Sequence, residues 1–248
     1  MPKYRIDSNP HRVYYGTSIG ILLLNTRIPF IPGDVGNSST YNFPIVYKVV
    51  DDLLTDRLVV EAAPSLAEPI IRAARALESE GVSAITSDCG YMALFQKEVA
   101  SSVNIPVFLS SWMQVPFINR MLQPHKKIGA IVADSRYIRK EILENAGIDD
   151  SIPLVIGGLE NKQGFWSGIM KEEGILDTDL VETEVLEATT ELVHNNPDIG
   201  AILLECSCLP PYAAAVQASL GLPVFDFITM INYVYSCLAK SPYTGTMY

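Results

Sequence analysis

Basic charge is scarce in this chain: 18 Lys and Arg stand against 28 Asp and Glu, a formal balance of −10. Phosphate backbones are gripped by clustered Lys and Arg, so the composition excludes a nucleic-acid partner. Cysteine is sparse as well, four in 248 residues, too few for the disulfide framework of a secreted scaffold. The only histidines, His11, His125 and His194, lie outside every motif below. Cys206 and Cys208 have no second ligand pair at zinc-site spacing, so no metal is expected. Long apolar runs are missing too. Stretches such as "IGILLL" fall far short of the ~20 residues a membrane-crossing helix needs. The opening "MPKYRIDSNPHRVYYG" lacks the apolar centre of a signal peptide. A soluble, cytoplasmic protein is expected, with no membrane partner and no use for the sequon at Asn37.

What is present is an ordinary globular composition, 48% hydrophobic and 19% charged, long enough for one large domain or two small ones. It also contains an internal repeat, the feature to seek first. "AITSDC" ends at Cys89 and "AILLEC" at Cys206, an offset of 117 residues; "IPVF" from Ile105 and "LPVF" from Leu222 share that offset. "IGILLLNT" from Ile19 resembles "IGAIVADS" from Ile128 in the same order along the chain. The sequence reads as a duplicated half of about a hundred residues, a normal size for one lobe.

In the first half "IGILLL", "RLVVEA", "VSAIT" and "IPVFL" are short, β-branched runs of the kind that form buried parallel strands. Between them Leu66, Ile70, Ala73 and Leu77 make one apolar helical stripe, with Ser65 and Glu68 placed as a capping box. Val181, Val185, Ala188 and Leu192 repeat that spacing, and Glu182, Glu184, Glu187 and Glu191 read as a solvated face. Strands alternating with helices imply an α/β fold. The expected architecture is two pseudo-symmetric lobes, each a four-stranded parallel sheet flanked by helices, with the active site in the cleft between them. The Pro- and Gly-bearing stretch from 25 to 44 lacks periodicity and is expected to cover that site.

Cys89 and Cys206 occupy equivalent positions, each predicted to end a strand and begin a helix, where unpaired N–H groups favour a thiolate. A buried cysteine ordinarily just packs. Two at matched positions of a repeat, facing each other across a cleft, can instead serve as base and acid on opposite faces of one carbon. Cys208 aligns with Tyr91 rather than with a cysteine, so it is assigned to the pocket wall or the packing beneath. Cys237, within the apolar "INYVYSCLA", is assigned to the core.

At these residues the chain resembles the aspartate/glutamate/hydantoin racemase superfamily, whose second-lobe motif Cys-Ser/Thr-x-x-Pro is matched by Cys206, Ser207 and Pro210. The first-lobe cysteine matches Cys89, although "GYMAL" follows it where amino-acid racemases carry Asn-Thr. The position after the second motif's Ser/Thr, where glutamate racemases place a His, holds Cys208. The resemblance implies a cofactor-independent fold in which each Pro-Val strand crosses into the opposite lobe. That gives 1–103 with 221–248 as one lobe and 104–220 as the other. It also implies a homodimer.

The resemblance implies catalysis by Cys89 and Cys206. The loops suggest substrate contacts from Asn25, Arg27, Gly90, Tyr91 and Ser207, with Arg27 suited to a carboxylate. Asp134 and Ser135 mirror Asn25 and Thr26. Asp88 and Glu205 alternate away from the cysteines along their strand ends and are expected to be structural. The first functional expectation is an isomerase, a racemase or epimerase inverting the α-carbon of an acidic amino acid or a hydantoin-like ring. The second is a maleate-type cis–trans isomerase or a related lyase using one thiol as nucleophile. The third is a two-lobed binding protein that needs neither thiol.

Overall fold

The structure, a computed structural model, describes residues 15–246. His11 and nearly all of the N-terminal stretch "MPKYRIDSNPHRVYYG" lie outside that range.

The first sheet is parallel, in the order β2 (Ile45–Val49), β1 (Ile19–Leu23), β3 (Ala84–Ser87). The second is also parallel, in the order β5 (Leu154–Gly158), β4 (Lys127–Val132), β6 (Ile199–Leu204), β7 (Val224–Phe225). The central strands β1, β3, β4 and β6 are buried almost throughout, as unbroken β-branched runs covered on both faces should be. Helices fill the connections: α1 (Ala67–Glu80) precedes β3, and α2 (Gln96–Ala100) and α3 (Val115–Met121) lie between β3 and β4. Helix α4 (Lys140–Asn145) precedes β5; α5 (Gln163–Phe165) and α6 (Thr178–Asn195) precede β6; α7 (Ala213–Leu220) precedes β7; α8 (Phe227–Leu238) ends the fold. Among the described residues no helix is long and apolar enough to cross a membrane.

The first sheet has three strands rather than four. Its fourth place is held by a single bridge, Ile85 to Val107. The matching pair in the second sheet is Ile202 with Val224, and both partners are displaced by the same 117 residues. Each Pro-Val segment therefore stays beside the strand that precedes it, contrary to the expectation that these segments cross over. Phe227, Met230 and Ile231 of α8 pack with Ile19, Ile21 and Ala84 of the first sheet, and α3 packs on β4.

"RLVVEA" is not a strand. Residues Asp56–Val60 form a wide helical turn that buries Leu58 and Val59, and the Arg139 guanidinium donates to the carbonyls of Val59 and Val60. Those carbonyls need no neighbouring strand, and "IVYKV" takes the place beside β1 instead.

The stripe Leu66, Ile70, Ala73, Leu77 is buried as expected. Its capping box does not form, because Ser65 accepts a hydrogen bond from Arg57 and Leu66 takes the cap position. Along α6, Glu182, Glu187 and Glu191 are exposed, but Glu184 is buried. It accepts hydrogen bonds from the N–H groups of Gly164 and Phe165, both at 2.8 Å. A carboxylate caps α5 there, so Glu184 is not a solvated residue. Cys237 is exposed rather than core. The buried residues of α8 are Phe227, Met230 and Ile231, and Tyr233 and Cys237 fall on its outer side.

Candidate active site

The strands β3 and β6 stop at matched points. Asp88 N–H donates to Leu22 C=O at 3.1 Å, and Glu205 N–H donates to Ile131 C=O at 2.8 Å. One residue further on, Cys89 and Cys206 enter a shared cavity of about 40 Å³. Its wall includes Gly90 and Tyr91 after Cys89, and Ser207 and Cys208 after Cys206. The two segments are joined directly, since the Ser207 hydroxyl donates to the Asp88 carbonyl. The loop 25–44 closes one side with Thr26, Ile28 and Phe30. Gly33 lets that loop lie against Pro211: its φ is +104°, and a Cβ there would meet the Pro211 Cα at 3.0 Å.

Ile169 and Met170, from the wide helical turn Trp166–Met170, also cover the cavity. Glu172 ties this cover down. Its carboxylate accepts the Arg27 N–H at 2.9 Å and the Thr55 hydroxyl at 2.7 Å, with its own backbone held at φ +54°. Outside lies a hollow of about 500 Å³ that shares Thr55 and Met170 with the cavity and adds Tyr137, Trp166 and Arg136. It forms a vestibule.

Among the described residues no Lys, Arg or His lines the cavity, so its groups perturb one another in one direction. Burial pushes the Cys89 thiol well up, and the Glu205 and Asp88 carboxyls and Cys206 add to this, against the Tyr91 N–H. Cys208 is also held well above the usual thiol range, first through its contact with Cys206 and then by burial. Burial raises Asp88 to about 7, against the Leu24 N–H, and raises Glu205 to about 8. The Trp112 indole is the one influence opposing the Glu205 shift, but its N–H is not aligned into a hydrogen bond. Desolvation, joined by like charge at the two thiols, disfavours the charged forms of Cys89, Cys208, Asp88 and Glu205.

The structure brings together five of the seven site residues expected from sequence: Cys89, Cys206, Gly90, Tyr91 and Ser207. Two hydroxyls among them are already committed, Ser207 to Asp88 and Tyr91 to the Asp134 carbonyl at 2.6 Å. Asn25 lines the vestibule, not the cavity. Arg27 is exposed and lines neither; its backbone, not its guanidinium, does the binding here. Asp134 is buried under the Arg136 guanidinium at 2.6 Å, and Ser135 donates to Glu160. Only Cys89 caps a helical segment, Gly90–Phe95. Cys206 closes a turn with Leu209 N–H ahead of the next one. Sequence reading missed Glu205 and Asp88 as cavity residues, together with Thr55, Val59, Ile169 and Met170. Gly90 carried the signal for Glu205: a Cβ at 90 would lie 1.7 Å from the Glu205 Oε1. Among the described residues no three His, Cys, Asp or Glu side chains are grouped as metal ligands.

No family model matches the sequence. The chain is 30% identical over 234 residues to a dimethylsulfoniopropionate lyase of Durusdinium sp. clade D, covering 92% of this chain and 77% of that one. It is also 30% identical over 237 residues to dimethylsulfoniopropionate lyase 7 of Emiliania huxleyi, covering 92% and 69%. Among solved structures, a glutamate racemase from Bacillus anthracis superposes with a TM-score of 0.61 at 17% identity, covering 90% of this chain and 81% of that one. Picrophilus torridus aspartate racemase gives 0.59 at 14%, covering 90% and 94%. Allantoin racemase from Klebsiella pneumoniae gives 0.59 at 14%, covering 90% and 87%. The fold is that of the aspartate/glutamate/hydantoin racemase superfamily.

The sequence relatives overturn the first functional expectation. They are lyases, so neither an isomerase nor a racemase or epimerase stands for this chain. The lyase half of the second expectation is the part they favour. The physical reason lies in the substrate. Racemisation and elimination both begin by removing a proton next to a carboxylate, and the outcome is decided by whether the substrate carries a β-leaving group.

Proposed function

Because the chain belongs to the dimethylsulfoniopropionate lyase family, we propose that it cleaves dimethylsulfoniopropionate, or a close β-sulfonio carboxylate, by β-elimination. The α-proton moves to a thiolate, the C–H electron pair becomes the C=C bond, and the C–S pair departs on sulfur. The products are dimethyl sulfide and acrylate, with one proton left on the enzyme for release to water. A sulfonium leaves as a neutral thioether, so the chemistry needs one base and no acid on the leaving group.

The observation that carries this reading is a single cavity lined by three thiols, Cys89, Cys206 and Cys208, at the ends of two matched strands. Cys89 and Cys208 are both held protonated by burial and by their neighbours. We assign the base to Cys206, with Cys208 as the neutral thiol beside it. Cys89 stands on the other segment as a neutral group against the substrate's second face, a one-base use of two thiols that the resemblance pairs for two-base work. Gly90, Tyr91 and Ser207 shape the cavity, and Asn25 acts in the vestibule. Arg27 serves through its backbone, holding the cover.

The two sheets are read as two lobes of a duplicated unit, with the cavity in the cleft between them. Their matched strand orders and the 117-residue offset support this. The chain would pass between lobes just after Val107 and just after Phe225, later than the boundaries at 104 and 221. The cavity of about 40 Å³ has room for little more than ordered water, so substrate entry requires the Ile169–Met170 cover to lift.

The test is product identification. Purified protein given dimethylsulfoniopropionate should release dimethyl sulfide and acrylate in equal amounts by headspace gas chromatography and proton NMR. Formation of 3-hydroxypropionate in place of acrylate would mean displacement by water, and elimination would be wrong.

A further inference from the structure

Two acids line the cavity, and they are not alike. Asp88 accepts the Leu24 N–H at 3.0 Å. Glu205 is fully buried, and neither of its carboxyl oxygens makes an aligned hydrogen bond, the Trp112 indole N–H beside it being likewise unaligned. Its backbone is fixed: the N–H donates to Ile131, and the carbonyl accepts the Ser111 hydroxyl at 2.8 Å. From that anchored strand end the side chain reaches the segment after β3, where it occupies the space a Cβ on residue 90 would need. A buried polar group without an aligned partner is costly to the fold. One held beside two thiols in a cavity, on a rigid strand end, is placed for a ligand.

Asp88, Cys89 and Tyr91 face it from the segment after β3, and Cys206 and Cys208 belong to its own loop. None of these supplies positive charge, and among the described residues no basic side chain lines the cavity. Resting on the elimination reading, we propose that Glu205 acts as a neutral carboxylic acid that donates a hydrogen bond to the carboxylate of the bound substrate. As the α-proton leaves for Cys206, negative charge gathers on the substrate's carboxylate oxygens, and a donor aimed there binds the transition state more tightly than the ground state. Glu205 keeps its proton throughout. Buried carboxylic acids do serve as oxyanion donors when an apolar site keeps them neutral. An ionised Glu205 facing the sulfonium would work the other way, since that positive charge vanishes as the C–S bond breaks.

The experiment compares wild type, Glu205→Gln and Glu205→Leu in turnover of dimethylsulfoniopropionate across pH, after melting curves establish that each variant folds. Wild-type kcat/KM should fall as pH rises through about 8, where Glu205 ionises. Glu205→Gln still donates; it should keep at least roughly a tenth of the wild-type kcat and lose that descending limb. Glu205→Leu should lose about 10²–10³-fold in kcat. A glutamine variant as inactive as the leucine one, with wild-type activity rising through pH 8, would overturn the proposal in favour of an ionised carboxylate. Infrared difference spectra without substrate add a separate readout: a protonated-carboxyl C=O band in wild type that Glu205→Gln removes. Absence of that band would overturn the neutral state whatever the substrate. No cleavage by wild type would instead refute the elimination reading, and the substrate contact with it.

Discussion

Replacing Gly90 with alanine isolates the contact on which the site's geometry turns. A Cβ at position 90 would stand 1.7 Å from the Glu205 Oε1 and 2.3 Å from its Cδ, closer than atoms can approach. Gly90 is not among the residues at positive φ, so alanine suits its backbone and should stabilise by about 0.4–1 kcal/mol through the unfolded chain. Overpacking a buried position costs about 1–3 kcal/mol, and the clash is the larger effect. Gly90→Ala should therefore destabilise by roughly 1–2 kcal/mol, read as a shift in the urea midpoint at constant m. The displaced carboxyl lines the cavity, so activity should fall further than stability. In a Glu205→Ala background the same substitution meets no carboxyl and should be neutral or slightly stabilising. The coupling energy of that cycle should be about 2 kcal/mol. Equal effects of Gly90→Ala in both backgrounds would refute the placement of Glu205.

Cys206→Ser should lower kcat by about 10²–10⁴-fold, the usual contribution of a positioned base, with the fold intact by circular dichroism. Cleaving the Glu172 ties by Glu172→Ala should free the cover, so that alkylation of Cys206 by iodoacetamide runs roughly tenfold faster, since two hydrogen bonds of ordinary strength are lost. Asp34 and Asp88 are raised to about 7 and Glu205 to about 8, chiefly by burial, so the folded state holds protons that the unfolded chain releases near pH 4. Stability from these groups is complete below that point and is lost as pH rises through 7 to 8. Urea midpoints should accordingly fall between pH 5 and pH 8, and Asp88→Asn should flatten the slope.

Much of the fold was legible because the repeat writes it twice. The 117-residue offset seen in "AITSDC" and "AILLEC" reappears as hydrogen-bonded pairs, Ile85 with Val107 and Ile202 with Val224. The thiols followed from the same arithmetic. "RLVVEA" was not legible, since its helical turn depends on the Arg139 guanidinium some eighty residues away. Arg27 looked like a carboxylate anchor because sequence shows a side chain's chemistry and not its direction. Glu205 was assigned a structural role by strand alternation, which places it away from Cys206. The Glu205 carboxyl instead reaches Gly90 and lines the same cavity as Cys206. Lyase and racemase chemistry share their first step, so the thiol motif alone could not separate them.

The most direct measurement is turnover of dimethylsulfoniopropionate deuterated at the α-carbon, by wild type and by Cys206→Ser. A lyase with Cys206 as base releases dimethyl sulfide and acrylate with a primary isotope effect on wild-type kcat/KM, and the serine variant loses that activity while still folding. Full activity in Cys206→Ser, or an intact substrate after prolonged incubation with folded wild type, would contradict it.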